Sequence, residues 1–200
     1  MTASLPASPG ASHNLSAASR GLHRPLVPIT PRPVPQLRLV AQPEGLLQVH
    51  TAPFRGSFAS VLSQALRTAG LGSRVLVSQF LKGGVAQGLE ASTWLCGRLQ
   101  WLRPAVAACV EASAVDQPEV AAAVTEVWAF SREQLLSGAV DLMVLDELGL
   151  AVELGYVGLD EVVGSLERRP AHLDVILTGP SIPAELMAMA DQVTQLRRGL

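Results

Sequence analysis

Two hundred residues with 48% hydrophobic side chains suffice for one globular domain with a sizeable core, beside a tail. A net charge of −2, with no basic run in the globular part, lacks the electrostatic footprint of a nucleic-acid binder. No apolar run reaches the length of a membrane-spanning helix. Cys96 and Cys109 have neither a CxxC spacing nor a matching His pair, so they read as reduced, buried small hydrophobes rather than zinc or redox ligands.

Residues 1–44 differ from everything after them. They hold eight of the fourteen prolines, many Ser and Ala, four arginines and no acid before Glu44. Proline blocks both helix and ladder pairing, and such a segment has little to bury, so a disordered or polyproline-like arm is expected there. Arg- and Ser-rich, acid-poor composition also describes an organellar transit peptide, although the prolines from Pro25 to Pro35 fit that reading poorly. The domain proper is expected over 45–200.

From Leu46 onward apolar strands alternate with helices. Leu46–His50 reads as a strand ending in a hydrogen-bonded structural histidine. Ser57–Ala69 places Phe58, Val61, Leu62, Ala65, Leu66 and Ala69 on one helical face, with Gly70 and Gly72 as the stop. Val75–Phe80 is a second buried strand. Residues 83–117 carry no clear period beyond a short strand at Gln100–Leu102. Pro118–Leu136 reads as a long helix with proline in its first turn, and Leu142–Leu145 as a strand. A helix over Leu159–Arg168, a strand over Val175–Thr178, a helix over Pro183–Ala190 and a strand over Val193–Leu196 complete the chain. Continuous apolar strands separated by helices predict an α/β fold of three layers, its mostly parallel sheet covered on both faces. In such sheets ligands lie beyond the carboxyl ends of the strands. Here those ends carry His50-Thr51, Gln79 to Lys82, Asp146-Glu147 and Thr178-Gly179.

Two of these ends have recognisable chemistry. Asp146-Glu147 follows Leu-Met-Val-Leu directly, as in a Walker-B strand, where the Asp holds Mg²⁺ and the adjacent acid polarises or positions a reacting group. Glu147 is therefore the candidate catalytic residue and Asp146 the candidate metal ligand; a plain strand end capped by an acid is the alternative. The loop Thr51–Phe58 lies between a strand and a helix where a Gly-rich phosphate loop ends in Lys and then Ser or Thr. Here the Lys position holds Ser57 and the next holds Phe58. Thr51, Arg55, Gly56 and Ser57 could still contact an anion, with Lys82 and Thr178 facing the same edge. Of fifteen basic residues only Lys82 is a lysine, so no other can replace the missing ligand.

The run VHTAPFRGSFASVLSQALRTAGLGSRVLVSQFLKGG resembles the start of the ATP:corrinoid (cob(I)alamin) adenosyltransferases, a family with a P-loop NTPase-like (RecA-like) fold. That family has Thr, then Gly-x-Gly-Lys-Gly-Lys-Thr, an Ala/Leu-rich helix ending Leu-Arg-x-x-Gly, and a strand leading into Gln-Phe-x-Lys-Gly. Thr51, Gly56, Leu66-Arg67, Gly70, Gln79-Phe80 and Lys82-Gly83 align without a gap, and Asp141–Glu147 is similar to its Walker-B strand. Arg169-Pro170, Val175–Gly179, Pro183–Leu186, Ala190-Asp191 and Val193-Thr194 resemble its final third. The resemblance implies ATP and Mg²⁺ as ligands, a reduced corrinoid as substrate, and transfer of the 5′-deoxyadenosyl group to cobalt. It also implies a cytoplasmic homodimer. The chain departs from the pattern at both motif lysines (Arg55 and Ser57), at the metal-binding Thr (Phe58), and at the Arg after the late Thr-Gly (Pro180). It also lacks the family's usual C-terminal segment. Phosphate ligands are lost while scaffold residues stay. That suits a divergent paralogue with weak or lost transfer and a binding or regulatory role. An active adenosyltransferase and a partner subunit of an intact paralogue are the other readings.

Overall fold

The computed structural model describes residues 44–56, 58–111, 114 and 117–197; the arm expected over 1–44, all but Glu44 of it, and the Ser57 ligand lie outside the described residues. The chain runs β1 (Leu47–Thr51), α1 (Ala59–Gly70), β2 (Val75–Gln79), a 3₁₀ turn at Leu89–Ala91, β3 (Thr93–Leu95) and β4 (Leu99–Leu102). It continues with α2 (Pro118–Ser137), β5 (Leu142–Asp146), α3 (Leu148–Glu153), α4 (Leu159–Glu167), β6 (Asp174–Gly179), α5 (Ala184–Met189) and β7 (Gln192–Gln195). Among the described residues the strands form one sheet in the order β3-β4-β2-β5-β6-β1-β7, parallel except for the β3–β4 hairpin. This is the three-layer α/β architecture the alternating pattern predicts.

Each face of the sheet has its own core. Leu47, Val49, Leu76, Met143, Leu145, Val175 and Leu177 point to one side, against Trp128 and Leu135 of α2, Leu148 of α3 and Leu166 of α4. Val75, Val77, Val144 and Ile176 point to the other, against α1. Helix α1 buries Val61, Ala65 and Ala69, a stripe at spacing four whose small side chains let the helix lie close on the strands. Leu66, expected on that face, is 39% exposed, because the stripe is narrower than the full apolar set. The helix runs through Gly70 to a cap at Leu71, and Gly72 at φ +108° turns the chain toward β2. Helix α2 starts at Pro118 and ends at Gly138 in the left-handed conformation, whose N–H bonds the Gln134 and Leu135 carbonyls.

The poorly patterned stretch contains the hairpin and the short 3₁₀ turn, and α3 was also unforeseen. Three or four residues per strand are too few for a period to show. The β3–β4 turn is Cys96-Gly97, both at positive φ. Cys96 and Cys109 are exposed, not buried: one sits in that turn and the other in a loop over the carboxyl edge.

Candidate functional site

Sheet register assembles the site. Gln79 pairs with Asp146, Asp146 with Thr178, and Thr178 with His50, so these four strand-end residues form one row on the α1 face. Below them the apolar row of Val77, Val144 and Ile176 packs on α1.

Asp146 is buried, and three donors converge on it. Thr178 Oγ1 donates to Oδ1 at 2.6 Å, while Gln79 Nε2 and Lys82 Nζ donate to Oδ2 at 2.7 and 2.9 Å. A carboxylate offers about four acceptor positions, so little capacity is left. The Phe58 side chain, 5% exposed, closes the space over it. Phe58, Val61, Leu62 and Val144 meet Asp146 and Thr178 around a gap with no room for a water molecule. Lys82 also reaches the Gly56 carbonyl, at 3.4 Å.

Glu147 follows at the strand-to-helix turn, in the left-handed conformation (φ +63°), and its N–H bonds the Thr178 carbonyl at 2.7 Å. Such a φ is uncommon for a side-chain-bearing residue and aims the carboxylate off the strand line. The turn is tight: a Cβ on Gly149 would collide with the Ser181 carbonyl oxygen. Arg55 closes on Glu147 as a fork, Nε to Oε1 at 3.0 Å and Nη2 to Oε2 at 2.8 Å. Its remaining donors reach the Val110 and Leu81 carbonyls, each at 3.2 Å. The hydrogen-bonded Glu147 carboxylate raises the guanidinium pKa, against a smaller opposing effect of burial.

Of the sequence-predicted site residues, Arg55, Gly56, Lys82, Asp146, Glu147 and Thr178 come together. Thr51 does not join that cluster. It lines a separate cavity of about 320 Å³ with Pro53, Pro180, Gln195 and Arg197. Trp101 and Arg103 were missed. Trp101 Nε1 and Arg103 Nε both donate to Gln79 Oε1, at 2.9 and 2.7 Å, so the Asp146 network extends to β4. A Trp and an Arg two apart at the end of a strand, before Pro104, was the available signal.

The residues present do not fit a hydrated magnesium ion. Asp146 is already bonded to a cation and two neutral donors, the ring of Phe58 stands where a metal-binding hydroxyl is expected, and Glu147 is clamped. Among the described residues no group of three His, Cys, Asp or Glu could hold a metal.

His50 departs from the hydrogen-bonded role expected of it, since its Nε2 is buried without a partner. Desolvation lowers its pKa below the ordinary 6.5. The unfolded chain therefore takes up the proton first. Stability contributed by neutral His50 is complete above pH 6.5 and is lost as pH falls through the depressed folded value. Urea unfolding at about pH 7.5 and about pH 5.5 should show a smaller acid loss in His50→Gln than in the parent. Equal losses would remove His50 as a source of acid sensitivity.

Residues 43–199 match a model of the family described as ATP:corrinoid adenosyltransferase BtuR/CobO/CobP. A corrinoid adenosyltransferase of Escherichia coli strain K12 is 32% identical over 159 residues, 76% of each chain. The corrinoid adenosyltransferase CobA of Salmonella typhimurium gives the same identity and coverage. One from Pseudomonas aeruginosa is 30% identical over 162 residues, 76% of this chain and 74% of its own. Among the described residues no helix is long and apolar enough to cross a membrane.

Proposed function

The chain belongs to the ATP:corrinoid adenosyltransferase family, and from that premise we propose that it is a divergent member in which ATP-dependent adenosyl transfer is weak or lost. A binding or regulatory role, toward a corrinoid or a partner chain, takes its place. The observation that carries this reading is the Arg55 fork on Glu147. The charge at the motif loop is spent on the protein's own acid, and the only lysine is spent on Asp146. A triphosphate would have to compete with both acids for these cations. Each charged hydrogen bond forgone is worth about 1.5–3 kcal/mol, about ten- to a hundredfold in affinity. The buried Phe58 adds to this by filling the place of the metal-binding hydroxyl.

Calorimetric titration of the full chain with Mg-ATP tests the proposal. The expected result is no binding in the micromolar range and no dependence on Mg²⁺. Micromolar, Mg²⁺-dependent binding would favour the second reading, an active transferase. The 37% exposure of the Arg55 side chain supports that alternative, because the guanidinium has open space into which to swing off Glu147.

A further inference from the structure

The hydrogen-bonded network around Asp146 holds two cations, Lys82 and Arg103, against one carboxylate. Lys82 is paired with that carboxylate. Arg103 is not paired with any acid among the described residues. Its backbone N–H is fixed to the Gln87 carbonyl at 2.9 Å, its Nε to Gln79 Oε1 at 2.7 Å, and its guanidinium carbon lies 5.6 Å from the centre of the Trp101 ring. Trp101 is held in turn by its own bond to Gln79 and by packing on the core beneath α1. The two terminal nitrogens of Arg103 make no hydrogen bond to any described residue.

We propose that Arg103, seated on Trp101 at the end of β4, is a binding position for a phosphate group. Three features support this. The guanidinium is held at its Nε and over a ring face, so little side-chain freedom is left to lose on binding. Its free edge is a planar donor pair, the shape that meets two oxyanion oxygens at once. The network carries one excess positive charge, which attracts a doubly charged phosphate more strongly than a singly charged carboxylate. The site is distinct from the α1 loop and needs no metal, so it stands or falls separately from the reading of adenosyl transfer.

The full chain is titrated with orthophosphate in magnesium-free buffer at fixed low ionic strength, followed by calorimetry and tryptophan fluorescence. Parent protein should bind in the millimolar range or tighter, and Arg103→Gln should weaken binding about tenfold or more. Arg98→Gln, an exposed arginine in the hairpin turn at the other end of the strands, should leave it unchanged. Adenosine monophosphate binding more tightly than orthophosphate supports the site and points to a nucleotide as the source. Equal binding supports it and points to the free anion. No binding by the parent at tens of millimolar overturns the proposal, as does equal binding by Arg103→Gln, an equal loss in Arg98→Gln, or acetate binding as tightly as phosphate. Should Arg103→Gln fail to fold, Arg103→Lys carries the test. It keeps the charge and loses the fork, so a several-fold loss supports the site and undiminished binding overturns it.

Discussion

Arg55→Ala will destabilise the domain by about 2 kcal/mol, a fall of about 4–8 °C in the thermal midpoint for a domain of this size. The reason is the partner left behind. Glu147 is 1% exposed and both its oxygens are held by Arg55, so truncation leaves a buried carboxylate without its cation. The Leu81 and Val110 carbonyls lose a donor as well. Breaking a fully buried pair costs about 3–5 kcal/mol. The 37% exposure of the arginine lets water screen the remaining charge, which brings the expectation down. Since Glu147 raises the Arg55 pKa from a value already far above neutrality, the stability linked to Arg55 protonation is fully present below the unfolded value and is lost only in strong alkali. Titration of Arg55 therefore leaves the loss flat from about pH 6 to about pH 9. Glu147→Gln in the Arg55→Ala background should recover part of the loss, since it removes the stranded charge. If Arg55→Ala melts with the parent, the clamp contributes nothing, and the case for a self-neutralised site fails with it.

Phe58→Thr is the second large effect, and its sign separates two views of the loop. The substitution restores the residue type that the family places there. If the loop is a damaged but open phosphate cradle, the hydroxyl should improve Mg-ATP binding at little structural cost. Phe58 is instead 5% exposed and packs with Ala52, Val61, Val144 and Ile176. Emptying a buried phenylalanine site costs about 3–5 kcal/mol, and threonine refills only part of the volume while burying a hydroxyl. A loss of about 3 kcal/mol is expected, with no gain in ATP affinity. Denaturant unfolding and calorimetry of the same preparation decide it. A stable variant with new Mg²⁺-dependent binding would show that the loop was open after all.

Much of this was legible beforehand, for particular reasons. β2 and β5 open on apolar runs, Val75–Val77 and Leu142–Leu145, each following a helix, and buried parallel strands leave that trace. Helix α2 was bracketed by Pro118 and, two residues past the expected end, by Gly138, each suited to its terminus by backbone geometry. Elsewhere local pattern misled. Cys96 reads as a small hydrophobe by residue type, yet it occupies an exposed turn. His50 looked like a satisfied strand-end histidine, yet its Nε2 is buried and bare.

The sequence by itself determined the alternation of strands and helices, the family, and the replacement of the motif lysines and metal-binding hydroxyl by Arg55, Ser57 and Phe58. Residue identity and short-range period carry that information directly. Only the tertiary structure decided what the substituted residues do instead. Arg55 meets Glu147 across 92 positions, Lys82 meets Asp146 across 64, and Trp101 and Arg103 reach Gln79 from a neighbouring strand. Such pairings depend on sheet order and on the register that aligns Gln79, Asp146, Thr178 and His50. No local spacing encodes that order, because strands far apart in sequence are brought side by side by the burial of their faces.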